Sequence, residues 1–155
     1  MDHAQLIAID TEFDRFRQAL STRLRRRARE RLGDAAGGAS FHVLDVLARG
    51  QALSPSELAA LREVRTSTMT VQLDRLEAAG WVQREPGCAG GAGRVGVTIT
   101  PAGRAVLERY RVLRREVLEE LLSPLAPEQV VHLGEALARA TAALRCERPA
   151  GPGGA

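Results

Sequence analysis

Apolar residues recur three or four positions apart in several stretches of this chain, and the spacing predicts a mainly helical protein. Leu6, Ile9, Phe13, Phe16, Leu20 and Leu24 mark one face of a long first helix that Gly33 stops, and Gly37-Gly38-Ala39-Ser40 reads as a linker. Phe41, Val43, Leu44, Val46 and Leu47 are too dense for a solvated surface, so Phe41 to Ala48 reads as a short buried helix ended by Gly50. Toward the other end, Thr100 caps and Pro101 opens a helix whose Val106, Tyr110, Leu113, Val117 and Leu121 repeat at spacings of four, three, four and four. After a break at Ser123-Pro124, Pro127 opens a last helix carrying Val130, Leu133, Leu137, Ala140 and Leu144. Residues 147–155, rich in Pro and Gly, read as a disordered tail.

The middle of the chain is organised differently. Ser54-Pro55-Ser56-Glu57 holds a complete helix start, with Ser54 as N-cap, Pro55 at the first helical position and Glu57 placed to close a capping box. That helix runs to about Leu61, and a second runs from about Thr66 to Ala79, where Gly80 closes it. Met69, Leu73 and Leu76 form its inward stripe, which leaves Ser67, Val71, Asp74 and Arg75 on the opposite face, flanked by Thr68, Gln72 and Thr70. Trp81 to Arg84 and Val95 to Ile99 have strand character and are separated by a loop containing Gly87, Gly90, Gly91 and Gly93. Helix, turn, helix, strand, loop and strand in that order make a winged helix-turn-helix over residues 40–100.

Composition narrows the class further. A length of 155 residues suits one domain, here residues 1–146, in which 1–33 and 101–146 supply terminal helices with narrow apolar seams suited to dimerisation. All 22 basic residues are Arg, yet the net charge is only +3, a balance that permits nucleic-acid binding without announcing it. No run approaches the ~20 apolar residues of a membrane span, and Met1-Asp2-His3-Ala4 does not begin a signal peptide, so a cytoplasmic location is expected. His3, His42 and His132 are scattered, and no glycine loop leads from a strand into a helix, so neither an enzyme, a metal site nor a cofactor is expected.

The second helix of the pair begins Arg65-Thr66-Ser67-Thr68-Met69-Thr70, short hydrogen-bonding side chains with no carboxylate. Hydroxyls there suit phosphates or base edges, Gln72 suits adenine, and Val71 suits a thymine methyl. Candidate DNA contacts are therefore Ser54, Arg65, Thr66, Ser67, Thr68, Thr70, Val71, Gln72 and Arg75, with Arg94 of the loop reaching the minor groove. A winged-helix protein-interaction module without DNA binding is the alternative, because Asp74 and Glu77 leave the helix roughly neutral.

Ser54 to Ala59, Ser67 to Thr70, Leu73 to Arg84 and Thr98 to Gly103 together resemble the MarR family of bacterial transcription regulators. The resemblance implies a homodimer on a pseudo-palindromic duplex operator, usually a repressor released by a small ligand. It also implies an effector pocket between the terminal helices and the winged core, for which Phe13, Phe16, Phe41, His42 and Asp45 are the candidates. Three positions depart from the family pattern: Glu63 replaces the turn glycine, Val71 a basic residue, and Gly91-Ala92-Gly93 the Asp-x-Arg of the wing. Fewer cations predict binding that is weaker or less salt-dependent than usual. Cys88 in the same loop reads as a plain exposed cysteine, with a redox role left open.

Overall fold

The computed structural model describes residues 2–50, 52–86 and 95–146. The chain divides into two compact units, Met1–Val117 and Leu118–Ala155. The loop with Cys88 and Arg94, and the tail at 147–155, lie outside the described residues.

Eight elements follow one another: α1 (His3–Leu32), α2 (Gly38–Leu47), α3 (Pro55–Leu61), α4 (Thr66–Ala78), β1 (Val82–Pro86), β2 (Val95–Ile99), α5 (Pro101–Leu122) and α6 (Pro127–Cys146). Helix α1 is capped by Asp2, whose carboxylate accepts from Ala4 N–H, and ends at Gly33, where φ is 91°. Helix α2 begins earlier than its apolar run. Gly37 serves as an extended N-cap, and Gly38, Ala39 and the buried Ser40 enter the helix, because they form the first turn that seats Phe41 in the core.

The first unit centres on the winged helix-turn-helix. Phe41, Val43, Leu44 and Leu47 of α2, Leu58 of α3, and Met69, Leu73 and Leu76 of α4 are all at most 2% exposed, and Val82 and Val97 join them from the strands. Burying each such side chain contributes about 1.5–3 kcal/mol, so this cluster dominates the stability of the unit. Strands β1 and β2 pair antiparallel, with Val82 opposite Ile99 and Arg84 opposite Val97. Leu53, in the link between α2 and α3, adds an isolated bridge: its N–H donates to Val97 O and its carbonyl accepts from Val97 N–H, at 3.2 and 2.8 Å.

Two local devices hold the functional helices in place. Ser54 Oγ accepts from Glu57 N–H at 3.2 Å while Ser54 N–H donates to Glu57 Oε2 at 2.7 Å, so the capping box of α3 is complete. In the turn between α3 and α4, Glu63 takes φ 51°, a left-handed conformation that favours glycine. At the far side, Thr100 Oγ1 accepts from Gly103 N–H and donates to Gly80 O, while Thr100 N–H donates to Trp81 O. Gly103 is required there, because a Cβ at that position would stand 2.1 Å from Trp81 O.

The second unit holds the last turn of α5 and helix α6. Val130, Val131, Leu133 and Leu137 of α6 are all exposed.

Candidate nucleic-acid interface

Helix α4 presents the polar face expected of it. Arg65 caps the helix by its extended backbone alone, with no side-chain cap bond. The hydroxyls of Ser67 and Thr68 are therefore not consumed in capping, and both residues are exposed, as are Arg65 and Thr66. Thr70 Oγ1 donates back to Thr66 O at 2.9 Å, which leaves its lone pairs for an incoming donor. Val71 is 52% exposed, an apolar side chain standing in solvent among polar ones. The backbone amides of the first turn also point outward, as at any helix N-terminus.

Gln72 and Arg75 lie further along the same face. With Thr68 and Val71 they line a depression of about 460 Å³ whose opposite wall is Asp34, Ala35 and Ser40 from the end of α1 and the start of α2. The Nε2 of Gln72 is buried and has no hydrogen-bond partner among the described residues. Among the described residues neither Arg65 nor Arg75 is held in an ion pair. The Ser54 hydroxyl, at the start of α3, is engaged with Glu57 in the capping box. Arg94 lies outside the described residues.

The acidic residues of α4 are not free. Arg84, on β1, donates to Asp74 and Glu77 at once, at 2.7 and 2.9 Å. From the sequence the two carboxylates only make α4 roughly neutral, and their partner Arg84 goes unseen. The available signal was an Arg placed a few residues beyond two carboxylates three positions apart on one helix.

The candidate pocket residues separate into two places. Phe41, His42 and Asp45 border a cavity of about 220 Å³ whose other side is Leu107, Tyr110, Arg111 and Arg114 of α5. Phe13 and Phe16 are not among its lining residues; Phe13 is exposed and Phe16 half-buried on the N-terminal part of α1. Phe41 stacks on Tyr110 with centroids 3.6 Å apart and on Trp81 at 6.1 Å, so the cavity wall continues into the start of the wing. Asp45 accepts from Arg111 at 2.5 Å and from Arg49 at 3.5 Å. The Arg111 hydrogen bond holds the Asp45 carboxyl below its ordinary value against the opposing effect of burial, while burial pushes the Tyr110 hydroxyl up. Tyr110, Arg111 and Arg114 escaped sequence reading because they reach the cavity from more than sixty residues away.

No group of three or more metal-ligating side chains occurs among the described residues, and no described helix is long and apolar enough to cross a membrane.

Comparison with known proteins places this arrangement. The HTH-type transcriptional regulator PecS of Dickeya dadantii (strain 3937) is 35% identical over 102 residues, covering 64% of this chain and 61% of PecS. The chain thus aligns with somewhat less than two thirds of that relative's length. Apo wild-type MarR from E. coli superposes with a TM-score of 0.69 at 26% identity, covering 90% of this chain and 97% of that one. The Mycobacterium tuberculosis MarR-family protein Rv2887, solved in complex with DNA, gives a TM-score of 0.69 at 25% identity over 84% of this chain and 95% of its own. The family profile described as MarR family matches residues 37–89, which run from the N-cap of α2 through α3 and α4 to just beyond β1. The profile thus covers α2, the capped α3, α4 and β1, and over most of its length the chain shares the winged-helix fold of these MarR-family structures.

Proposed function

We propose that this protein is a sequence-specific regulator of transcription that binds double-stranded DNA as a homodimer in the cytoplasm and acts by occupancy rather than catalysis. The observation that carries the reading is the unclaimed face of α4, where Ser67, Thr68 and Val71 stand in solvent and, among the described residues, neither Arg65 at the start nor Arg75 in the last turn is held in an ion pair. Two such helices, one from each protomer, suit successive major grooves of a pseudo-palindromic operator. Ser67, Thr68 and Gln72 then read or position, Val71 meets a thymine methyl, and Arg65, Thr66, Thr70 and Arg75 hold phosphates. Arg94 supplies the minor-groove contact. PecS bears the name of a transcriptional regulator and Rv2887 is solved with DNA, which supports the same assignment.

Dimerisation uses the terminal helices, whose apolar residues Leu6, Ile9 and Phe13 on α1 and Val131 and Leu137 on α6 are exposed in the single protomer. The cavity at Phe41, His42 and Asp45 is the effector pocket, and a ligand there bears on the wing through Phe41 and Trp81 to relieve repression.

A mobility-shift assay with the DNA upstream of the protein's own gene tests the reading. A salt-sensitive shift with two-fold symmetric protection is expected. The absence of any shift at low salt overturns it in favour of a protein-interaction module.

A further inference from the structure

The recognition helix has no net charge of its own. Over residues 65–78 the cations Arg65 and Arg75 are balanced by Asp74 and Glu77. Duplex DNA carries a negative charge about every 1.7 Å of its axis, so two carboxylates on a helix that enters a groove cost affinity unless something neutralises them.

Arg84 does so from a neighbouring element. Its Nη2 donates to Asp74 Oδ1 and its Nη1 to Glu77 Oε2. The two carboxylates lie one turn apart on α4, and the flat guanidinium with its outward-pointing nitrogens spans them; an ammonium, a single point charge, offers no such fork. The Arg84 side chain is 27% exposed against 56% for Asp74 and 39% for Glu77, so it sits between strand and helix and is screened less than a fully exposed cation. Adding Arg84 turns the neutral helix into a cationic assembly. It also ties the first wing strand to the reading head at two points beyond the main chain.

The geometry points to Arg84 as a positioning residue for DNA recognition. It acts through Asp74 and Glu77, masking their charge, and does not itself touch the duplex. This rests on the DNA-binding reading above. Partly exposed ion pairs contribute little to folding, and Trp81 and Val82 already anchor the strand in the core. The consequence of losing Arg84 therefore falls on binding and its salt dependence rather than on the fold.

Fluorescence anisotropy of the full chain on a labelled duplex from upstream of its own gene, measured across a salt series, tests the inference. Arg84→Ala weakens binding on the order of tenfold at ~0.1 M salt while the melting temperature moves by only a few degrees. Asp74→Asn with Glu77→Gln added to Arg84→Ala restores affinity to within about threefold, since the charge to be masked is gone. Asp74→Asn with Glu77→Gln alone keeps Arg84 and the fold, and it tightens binding about threefold with a steeper dependence on salt. Loss in Arg84→Ala that the two neutral substitutions leave uncorrected overturns the proposal and assigns Arg84 to the duplex itself. So does an unchanged affinity and slope in the double variant. A wild-type protein that binds no duplex overturns the DNA-binding reading and this inference together, whereas wild-type binding with a silent Arg84→Ala removes the positioning role alone.

Discussion

Helices α4 and α1 carry the same three-and-four spacing of apolar residues and meet opposite environments. Met69, Leu73 and Leu76 are 0% exposed, whereas Leu6, Ile9 and Phe13 are 44%, 60% and 56% exposed. Helix α4 is packed between α3 and β1. Helix α1 is 30 residues long, so at ~1.5 Å per residue it extends about 45 Å and outruns the core it serves. Its buried residues, Leu24 and Ala28, are confined to the part near α2. Periodicity thus states that a face requires covering and is silent about whose atoms cover it.

The largest expected effect lies on the covered side. Leu73→Ala destabilises the winged unit by about 2–5 kcal/mol, read from thermal or urea unfolding, because the site is sealed and cannot collapse around the lost atoms. The uncovered side behaves in the opposite way. Ile9→Glu with Phe13→Glu leaves helix content intact and moves the protein from dimer to monomer in analytical ultracentrifugation. Full dimerisation in that variant would show that α1 is simply a solvated arm, and the contrast with α4 would then lose its meaning.

The parts of the fold legible in the sequence are those with a local cause. The capping box at Ser54 and Glu57, the Thr100-Pro101 start of α5 and the inward stripe of α4 each depend on residues within one or two turns. The start of α2 was misplaced because Gly37 and Gly38 have the composition of a linker, and only the seating of Phe41 makes them a helix cap. The Leu53 bridge has no local signature at all, since it depends on Val97 across the fold. In the candidate site, the exposed side of α4 followed from its buried stripe by geometry. The Arg84 fork and the Arg111 partner of Asp45 did not, because an ion pair between two elements leaves no period in either.

A smaller effect is expected in the turn that joins the two halves of the reading head. Glu63 holds φ 51° in the turn between α3 and α4. A side chain in that region stores on the order of 1 kcal/mol, and glycine relieves it at some cost in chain entropy. Glu63→Gly should therefore stabilise the unit by about 0.5–1 kcal/mol without altering α3 or α4. A destabilisation would show that the Glu63 side chain contributes more than its backbone costs.

The smallest expected effect concerns the joint between α2 and α5. Asp45 is held below its ordinary carboxyl value by the Arg111 hydrogen bond, with burial opposing and Arg49 assisting. A depressed folded-state value means that the pair's stabilisation is fully present above the unfolded value and is lost as pH falls through the folded one. The side chains of Asp45 and Arg111 are 40% and 43% exposed, so solvent limits the pair to about 0.2–1 kcal/mol. Asp45→Asn should lower stability by that amount at neutral pH and converge with the wild type in acid, below the depressed Asp45 value. The check is a pair of urea midpoints measured along a pH series. Parallel curves, with a constant gap between variant and wild type down to strong acid, would mean that Asp45 matters for packing rather than for charge.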